Sequence, residues 1–292
     1  MRHPPAASAG ATLLSLCLVA GTASAAGGPD AAPDIAPDPI GPVGTPDPSR
    51  SVTSGPPPFL ILGVASLPDY LGSDDHVLLP LVAAAFGLGP VGVAFQGTEL
   101  RIDVVPGAAW SAGPLANFAR GRDDDVDSDR VAALPEIDAA LELGAYVGFE
   151  RGVDAAGRGS VSGSLSLRGT VSDDVDGAIA RASLGYAYAL TPRLRLSVDA
   201  SANAADGDWM SSWFGVDAQA SVDSALRPFD AGGGARDVGL GASATYSFSP
   251  RFGAYAGASW SRLVWDARDS PVTRDEGDAS QWFGGVGLLW SR

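Results

Sequence analysis

Residues 238–265, VGLGASATYSFSPRFGAYAGASWSRLVW, change character with every step along the chain. Before the turn at Ser249-Pro250-Arg251, Val238, Leu240, Ala242, Ala244, Tyr246 and Phe248 share one face, and Gly239, Gly241, Ser243, Thr245 and Ser247 share the other. After it, Phe252, Ala254, Ala256, Ala258 and Trp260 stand opposite Gly253, Tyr255, Gly257, Ser259 and Ser261. Successive side chains of a strand point to opposite faces, so this is a long β-hairpin with one apolar face and one small, polar face. Phe248, Phe252 and Trp260 stand at the strand ends, and small residues fill the middle. A soluble sandwich needs its bulkiest side chains mid-strand, where two sheets meet. Terminal aromatics with a polar second face suit a barrel with lipid outside and water or polar side chains inside.

The pattern recurs. Strands are predicted over 59–67, 78–87, 91–105, 108–120, 136–150, 160–170, 179–190 and 194–200, more weakly over 212–222, and finally over 280–290. In 136–150 the lipid side is Ile137, Ala139, Leu141, Leu143, Ala145, Val147 and Phe149, and Glu136, Asp138, Glu142 and Tyr146 face the lumen. Arg168, Arg193, Arg195 and Asp199 join the lumen set, which can line a pore or salt-bridge a filled interior. The fold class is all-β: an antiparallel transmembrane β-barrel of about twelve strands (10–12), spanning residues 59–292. The apolar phase slips within 91–105, where Val91, Val93 and Phe95 are odd and Leu100, Ile102 and Val104 are even. A bulge or a tight turn near Gly97-Thr98 is implied. Simple counting puts some of the short turns 88–90, 106–107, 191–192 and 249–250 on the wrong side, and a turn at 97–98 with 212–222 demoted to loop restores the parity and keeps twelve strands; the sequence leaves both readings open.

Residues 1–26 read as a signal peptide: Arg2, the apolar run ATLLSLCLVA, then Ala23-Ser24-Ala25. Cys17 lies inside it and follows Leu16 where a lipid-anchor signal needs a small residue, so the exported chain carries no disulfide framework. Residues 27–58 hold ten prolines and read as a disordered leader. The formal charge of −15, with arginine as the sole basic side chain besides two histidines, argues against nucleic acid as a partner. An exported chain of alternating strands points to the outer membrane of a Gram-negative bacterium, with lipid and lipopolysaccharide as its surroundings.

Three segments carry a resemblance. They are Pro68-Asp69-Tyr70-Leu71-Gly72-Ser73-Asp74-Asp75 before Leu79-Pro80-Leu81, then Trp213-Phe214-Gly215-Val216, then Arg262 through Val272 (RLVWDARDSPV). Together they resemble the MltA-interacting protein (MipA)/OmpV family of outer-membrane proteins. The resemblance implies a non-enzymatic barrel without cofactor. Its implied partners are a lytic transglycosylase and a murein synthase, with porin-like and adhesin-like members as alternatives. Pro68, Asp69, Tyr70, Gly72, Ser73 and Asp74 are the candidates for partner contact or loop shape. The chain departs from the family in ending Trp290-Ser291-Arg292 and in its proline-rich leader.

Two clusters invite chemistry and support little. His76, the one histidine beyond the signal, sits beside Ser73 and Asp74 with no oxyanion donor in view, and reads as a loop histidine. Asp125, Asp127, Asp129 and Glu136 match four positions of a calcium loop, but Arg130 stands where that loop needs glycine, so a solvated acidic loop is expected.

Overall fold

The computed structural model describes residues 58–292 apart from 106–108, 123, 125, 155 and 172–174. The expected signal peptide and all of the leader but Pro58 lie outside these residues, as does the turn at Pro106-Gly107.

Twelve antiparallel strands close into a barrel, each paired with its sequence neighbours and the last with the first. They are β1 (Phe59–Pro68), β2 (His76–Leu88), β3 (Val91–Gln96), β4 (Glu99–Asp103), β5 (Trp110–Ala119) and β6 (Ala140–Gly152). Then come β7 (Gly159–Thr170), β8 (Ala178–Thr191), β9 (Leu194–Ala205), β10 (Gly234–Ser247), β11 (Phe252–Leu263) and β12 (Ser280–Ser291). Closure pairs Phe59 with Ser291 and Ser66 with Gly284, which leaves no terminal edge. Among the described residues no helix is long and apolar enough to cross a membrane; the strands do the crossing.

The outer wall is apolar. Leu62, Val64, Leu165, Leu167, Leu184, Leu240, Val286 and Leu288 are exposed. Aromatics gather toward the short-turn end: Phe252 opposite Trp290, Tyr246 against Phe248, Tyr186 against Tyr188, and Trp110 against Phe149. Trp260, opposite Trp282, marks the other end. An apolar band between aromatic girdles is the surface of a barrel held in a bilayer.

The phase slip resolves as the tight turn. Gly97, at φ +59°, turns β3 into β4, and Gly92 to Gln96 pair back on Asp103 to Glu99. The turns at 89–90, 192–193 and 248–251 then share one end of the barrel with both strand termini. The connections 69–75, 120–139, 206–233 and 264–279 crowd the other end.

Residues 212–222 are not a strand. They belong to α2 (Gly207–Phe214) and α3 (Ala218–Ser224). Asp206 caps α2 by accepting from Trp209 N at 2.9 Å, and Asp217 caps α3 by accepting from Ala220 N at 2.7 Å. Trp209, Met210, Trp213 and Phe214 recur at helical spacing and are all buried. With α1 (Asp129–Ala132), α4 (Trp265–Asp269) and α5 (Pro271–Arg274), these helices form a cap over the long-loop end. Its core joins Trp209, Met210, Phe214 and Ala267 to Ile179, Ala205 and Leu263 from the strand rims.

The start of β6 also departs from the alternation. The strand begins at Ala140, so residues 136–139 lie in the connection before it. Ile137 turns into the cap core, and Ala139, Glu136 and Asp138 are exposed outside the strand. A short bridge between Ile137 and Arg122 sets that course. Arg193 leaves the lumen set as well, because it sits exposed in the turn after β8.

Candidate functional site

The three sequence segments singled out above meet in the cap. Pro68 ends β1 opposite His76, and the seven residues between them form a closed loop, with Asp69 N donating to Asp75 O at 3.0 Å and Ser73 N to Tyr70 O at 3.0 Å. Tyr70 is buried, and its hydroxyl donates to Glu276 O at 2.7 Å, across the connection after α5. Gly72 N donates to Gln281 Oε1 at 3.1 Å, and Gln281 Nε2 donates back to Ser73 O at 3.0 Å. Gly72 adopts φ +107°, and a Cβ there would come within 2.7 Å of Thr273 Oγ1, so both backbone and space demand glycine. Asp278 N closes the seam by donating to Gly72 O at 2.9 Å.

The other two segments are tied to the same place. Ser270 Oγ donates to Phe214 O at 2.7 Å, joining the second motif to the third. Arg122 reaches Trp213 O and Pro135 O, each at 3.4 Å. Arg130 pairs with Glu276 and donates to Ala225 O, stitching α1 to the ends of α5 and α3. Burial lowers the Arg122 pKa to about 10, while neighbouring Tyr70 pulls it upward. Burial first, then Asp74 and Glu276, pushes the Tyr70 phenol well above the ordinary tyrosine range. A hollow of about 740 Å³ lies beside this seam, lined by Arg122, Ile137, Val216, Asp217, Phe229 and Asp230 among others.

Of the candidate residues, Tyr70, Gly72 and Ser73 are buried inside the cap, and Pro68 is buried at the strand end. Asp69 is half-buried and faces Arg120 at 3.8 Å. Asp74 is exposed. Ser73 Oγ accepts from Asp75 N at 3.0 Å, an internal turn bond. His76 opens β2 with Nε2 3.1 Å from Trp282 O, so Ser73 and His76 meet different partners. Of the calcium-loop pattern, Asp125 lies outside the described residues, Asp129 opens α1, and Glu136 is exposed.

Below the cap the lumen is crossed by paired charges. Glu142 accepts from Asn117 Nδ2 at 2.8 Å, from Arg168 Nε, and from Trp209 Nε1 of α2 at 3.2 Å. Arg168 continues to Glu99 at 3.5 Å, and Glu99 pairs with Arg101, whose guanidinium lies 4.9 Å from the Tyr146 ring centre. On the neighbouring strands β8 to β10, Asn203 joins Arg181 at 3.4 Å to Asp237 at 2.8 Å, and Asp237 pairs with Arg236, which stacks 5.1 Å over Trp209. Glu142, Arg168 and Arg195 were legible from alternation as lumen groups. Glu99, Arg101 and Asp103 escaped notice, although they are the complementary phase of Leu100, Ile102 and Val104. Trp209 was missed for a different reason: its signal is the Asp206 cap and helical spacing, and it stands just before the stretch 212–222 that was read with period two.

No curated protein sequence matches the chain. Among solved structures, it is similar to the NanC porin at TM-score 0.47 and 9% identity, covering 80% of this chain and 100% of that one. It is also similar to the KdgM porin, at 0.41 and 8%, covering 80% and 99%. An outer-membrane channel from Pseudomonas putida F1 aligns at 0.43 and 10%, covering 91% and 100%. The family described as MltA-interacting protein MipA matches residues 60–292, which is every strand but the first residue of β1 and all three converging motifs. The chain therefore belongs to the MipA family.

Proposed function

We propose that this protein is a non-enzymatic outer-membrane barrel that serves as a membrane-held scaffold for murein-cleaving and murein-building enzymes. The observation that carries this reading over a solute pore is the filling of the interior. Trp209 of the cap donates into Glu142, which is itself paired with Arg168 and Asn117, so cap and lumen charges form one connected plug. The family's description as interacting with MltA supports the choice of partner class. Outer-membrane placement is supported by the apolar wall, the aromatic belts, the even strand count and the signal pattern at 1–26. Short turns of such barrels face the periplasm. Both strand termini lie at that end, so the 27–58 leader joins β1 on the side where murein is handled. Lipid and lipopolysaccharide surround the wall and the long-loop end.

In this reading Pro68, Asp69, Tyr70, Gly72, Ser73 and Asp74 act as the keystone of the cap and touch no murein enzyme. Partner binding falls to the leader together with the short turns. Each turn alone is far smaller than the roughly 800 Å² per partner of a standard interface, so the binding is weak and shared.

The test is affinity capture from detergent-solubilised envelopes, paired with conductance in planar bilayers. The full chain should recover a lytic transglycosylase or a murein synthase. Deletion of residues 30–55 should reduce the yield while leaving the heat-modifiable barrel band intact, and the bilayers should stay silent. Stable single-channel steps with no enzyme recovered would replace the scaffold by a pore.

A further inference from the structure

The barrel wall is incomplete at one place. β2 pairs with β1 from Ala85 down to His76, but pairs with β3 only from Ala83 to Leu88. The β3–β4 hairpin stops short: Gly97 N donates to Val82 O at 2.9 Å, and Phe118 N of β5 donates to Thr98 O at 3.0 Å. Above that tip, residues 76–82 of β2 have no strand beside them on that edge among the described residues. Residues 118–120 form the far side of the gap. Arg120 bridges its top by donating to Asp69 O at 2.9 Å.

The sequence at this edge fits an opening. Backbone groups of alternate residues point to the same side of a strand. Val82 O faces the hairpin, so Pro80, two residues earlier, turns its backbone nitrogen to the open side. Proline has no N–H, so this position presents no unpaired donor to hydrocarbon, and by the same alternation Leu78 N–H is the donor left on that edge. The outward side chains around the gap are apolar: Leu78 is 76% exposed, Phe118 is 51% exposed, and Pro80 is exposed.

Behind the gap lies an apolar chamber of about 250 Å³, lined by Ile61, Ala65, Leu81, Ala83, Tyr255 and Phe283 among others. Cavities of about 150 Å³ walled by Leu, Ile and Phe stay dry and accept an aromatic ring, so this one has room for a hydrocarbon segment. Two donors line the same cavity at the window. Arg120 Nη1 and Gln96 Nε2 are shielded from solvent and meet no acceptor among the described residues. A shielded donor without an acceptor is costly, and an oxygen anion entering beside it would relieve that cost.

We propose that this window is a lateral binding site for a single-chain amphiphile, reached from the bilayer: the hydrocarbon tail enters the chamber, and an anionic oxygen head stays at the rim on Arg120 and Gln96. A free fatty acid and one acyl chain of a membrane lipid share this chemistry.

Native mass spectrometry of the folded full-length barrel tests it, with the protein released from nanodiscs of a zwitterionic phospholipid doped with laurate. The wild type should retain one laurate per barrel; retention of one phospholipid in its place supports the site and names the bilayer as its source. Ala83→Phe fills the chamber and should lower retention about tenfold or more, and Arg120→Gln should lower it by about three- to tenfold. Each variant must first show the heat-modifiable folded band. Ala65→Leu fills the same chamber with a smaller change and replaces Ala83→Phe if that one does not fold. A wild type that retains neither molecule, or chamber-filling variants that retain as much as the wild type, would overturn the site. Undiminished retention by Arg120→Gln would overturn the placement of the head.

Discussion

Seen from inside, the wall from β4 to β10 carries Glu99, Arg101, Glu142, Arg168, Arg181, Asn203 and Asp237, all tied to one another or to the cap. The wall from β11 through β12 and β1 to β2 carries Tyr255, Leu289, Ile61, Ala65, Leu81 and Ala83, packed as one apolar cluster. Both sets point inward, and all of these side chains are buried except Arg168, which is half-buried. They hold by different physics. A buried charge is stable only while its partners are present, because each partner removed leaves desolvated charge behind. A buried apolar side chain contributes in proportion to the surface it hides, and its neighbours survive its loss. The difference also explains where the wall can be open. An opening against the paired charges would set them facing hydrocarbon, whereas the gap at 76–82 stands over the apolar cluster and meets lipid with like.

The largest expected effect breaks the charged side. Glu142→Ala strands Asn117 and the Trp209 indole and leaves Arg168 with Glu99 alone, and should cost about 3–5 kcal/mol of folded-barrel stability. Urea unfolding in lipid vesicles measures it. If the loss is below about 1 kcal/mol, water reaches the Glu142 site and the lumen is not plugged there.

Ile61→Ala is the matching change on the apolar side. Ile61 is 2% exposed yet borders the existing chamber. Its loss should therefore fall toward the lower end of the Ile-to-Ala range, about 2–3 kcal/mol, with the same unfolding assay as readout. A cost equal to that of Glu142→Ala would erase the distinction between the two sides.

The two sides also differ in how far the sequence discloses them. Charges alternating with Leu in 140–147 can only face inward once the other face is lipid, so Glu142 and Tyr146 were placed correctly from period alone. Phe59 to Leu62, FLIL, is apolar on both faces, as is Leu288-Leu289. A strand between lipid and an apolar chamber shows no alternation, and nothing in it reveals which leucine points in. The closed barrel of about twelve strands was legible because one phase rule governs most of them. The cap was not, because Trp209, Trp213 and Phe214 are held by helix caps and by partners as remote as Ser270. The motif Pro68 to Asp74 was visible as a unit, but its meeting with Glu276 and Gln281 depends on barrel closure, more than two hundred residues away along the chain.

The smallest expected effect tests the seam between the two sides. Tyr70 comes from the β1–β2 connection above the apolar side, and Arg122 from the β5–β6 connection above the charged side. Their pKa values move in opposite directions, so they pull stability oppositely through the same alkaline window. Tyr70 is raised in the folded state. The fold therefore keeps a proton that the unfolded chain releases near pH 10, and stability from this group falls as pH rises above about 10. Arg122 is lowered to about 10. Between that value and the ordinary arginine range the unfolded chain holds the extra proton, so stability from this group rises with pH over the same interval. In the wild type the two slopes offset. Tyr70→Phe removes the falling one, together with the hydrogen bond to Glu276 O, which costs about 1 kcal/mol near neutrality. The variant should thus begin less stable and regain ground on the wild type as pH rises beyond about 10. Urea midpoints for both proteins across that interval decide it: parallel curves would mean that Tyr70 and Arg122 are open to water, and that the cap is not the dry seam its contacts describe.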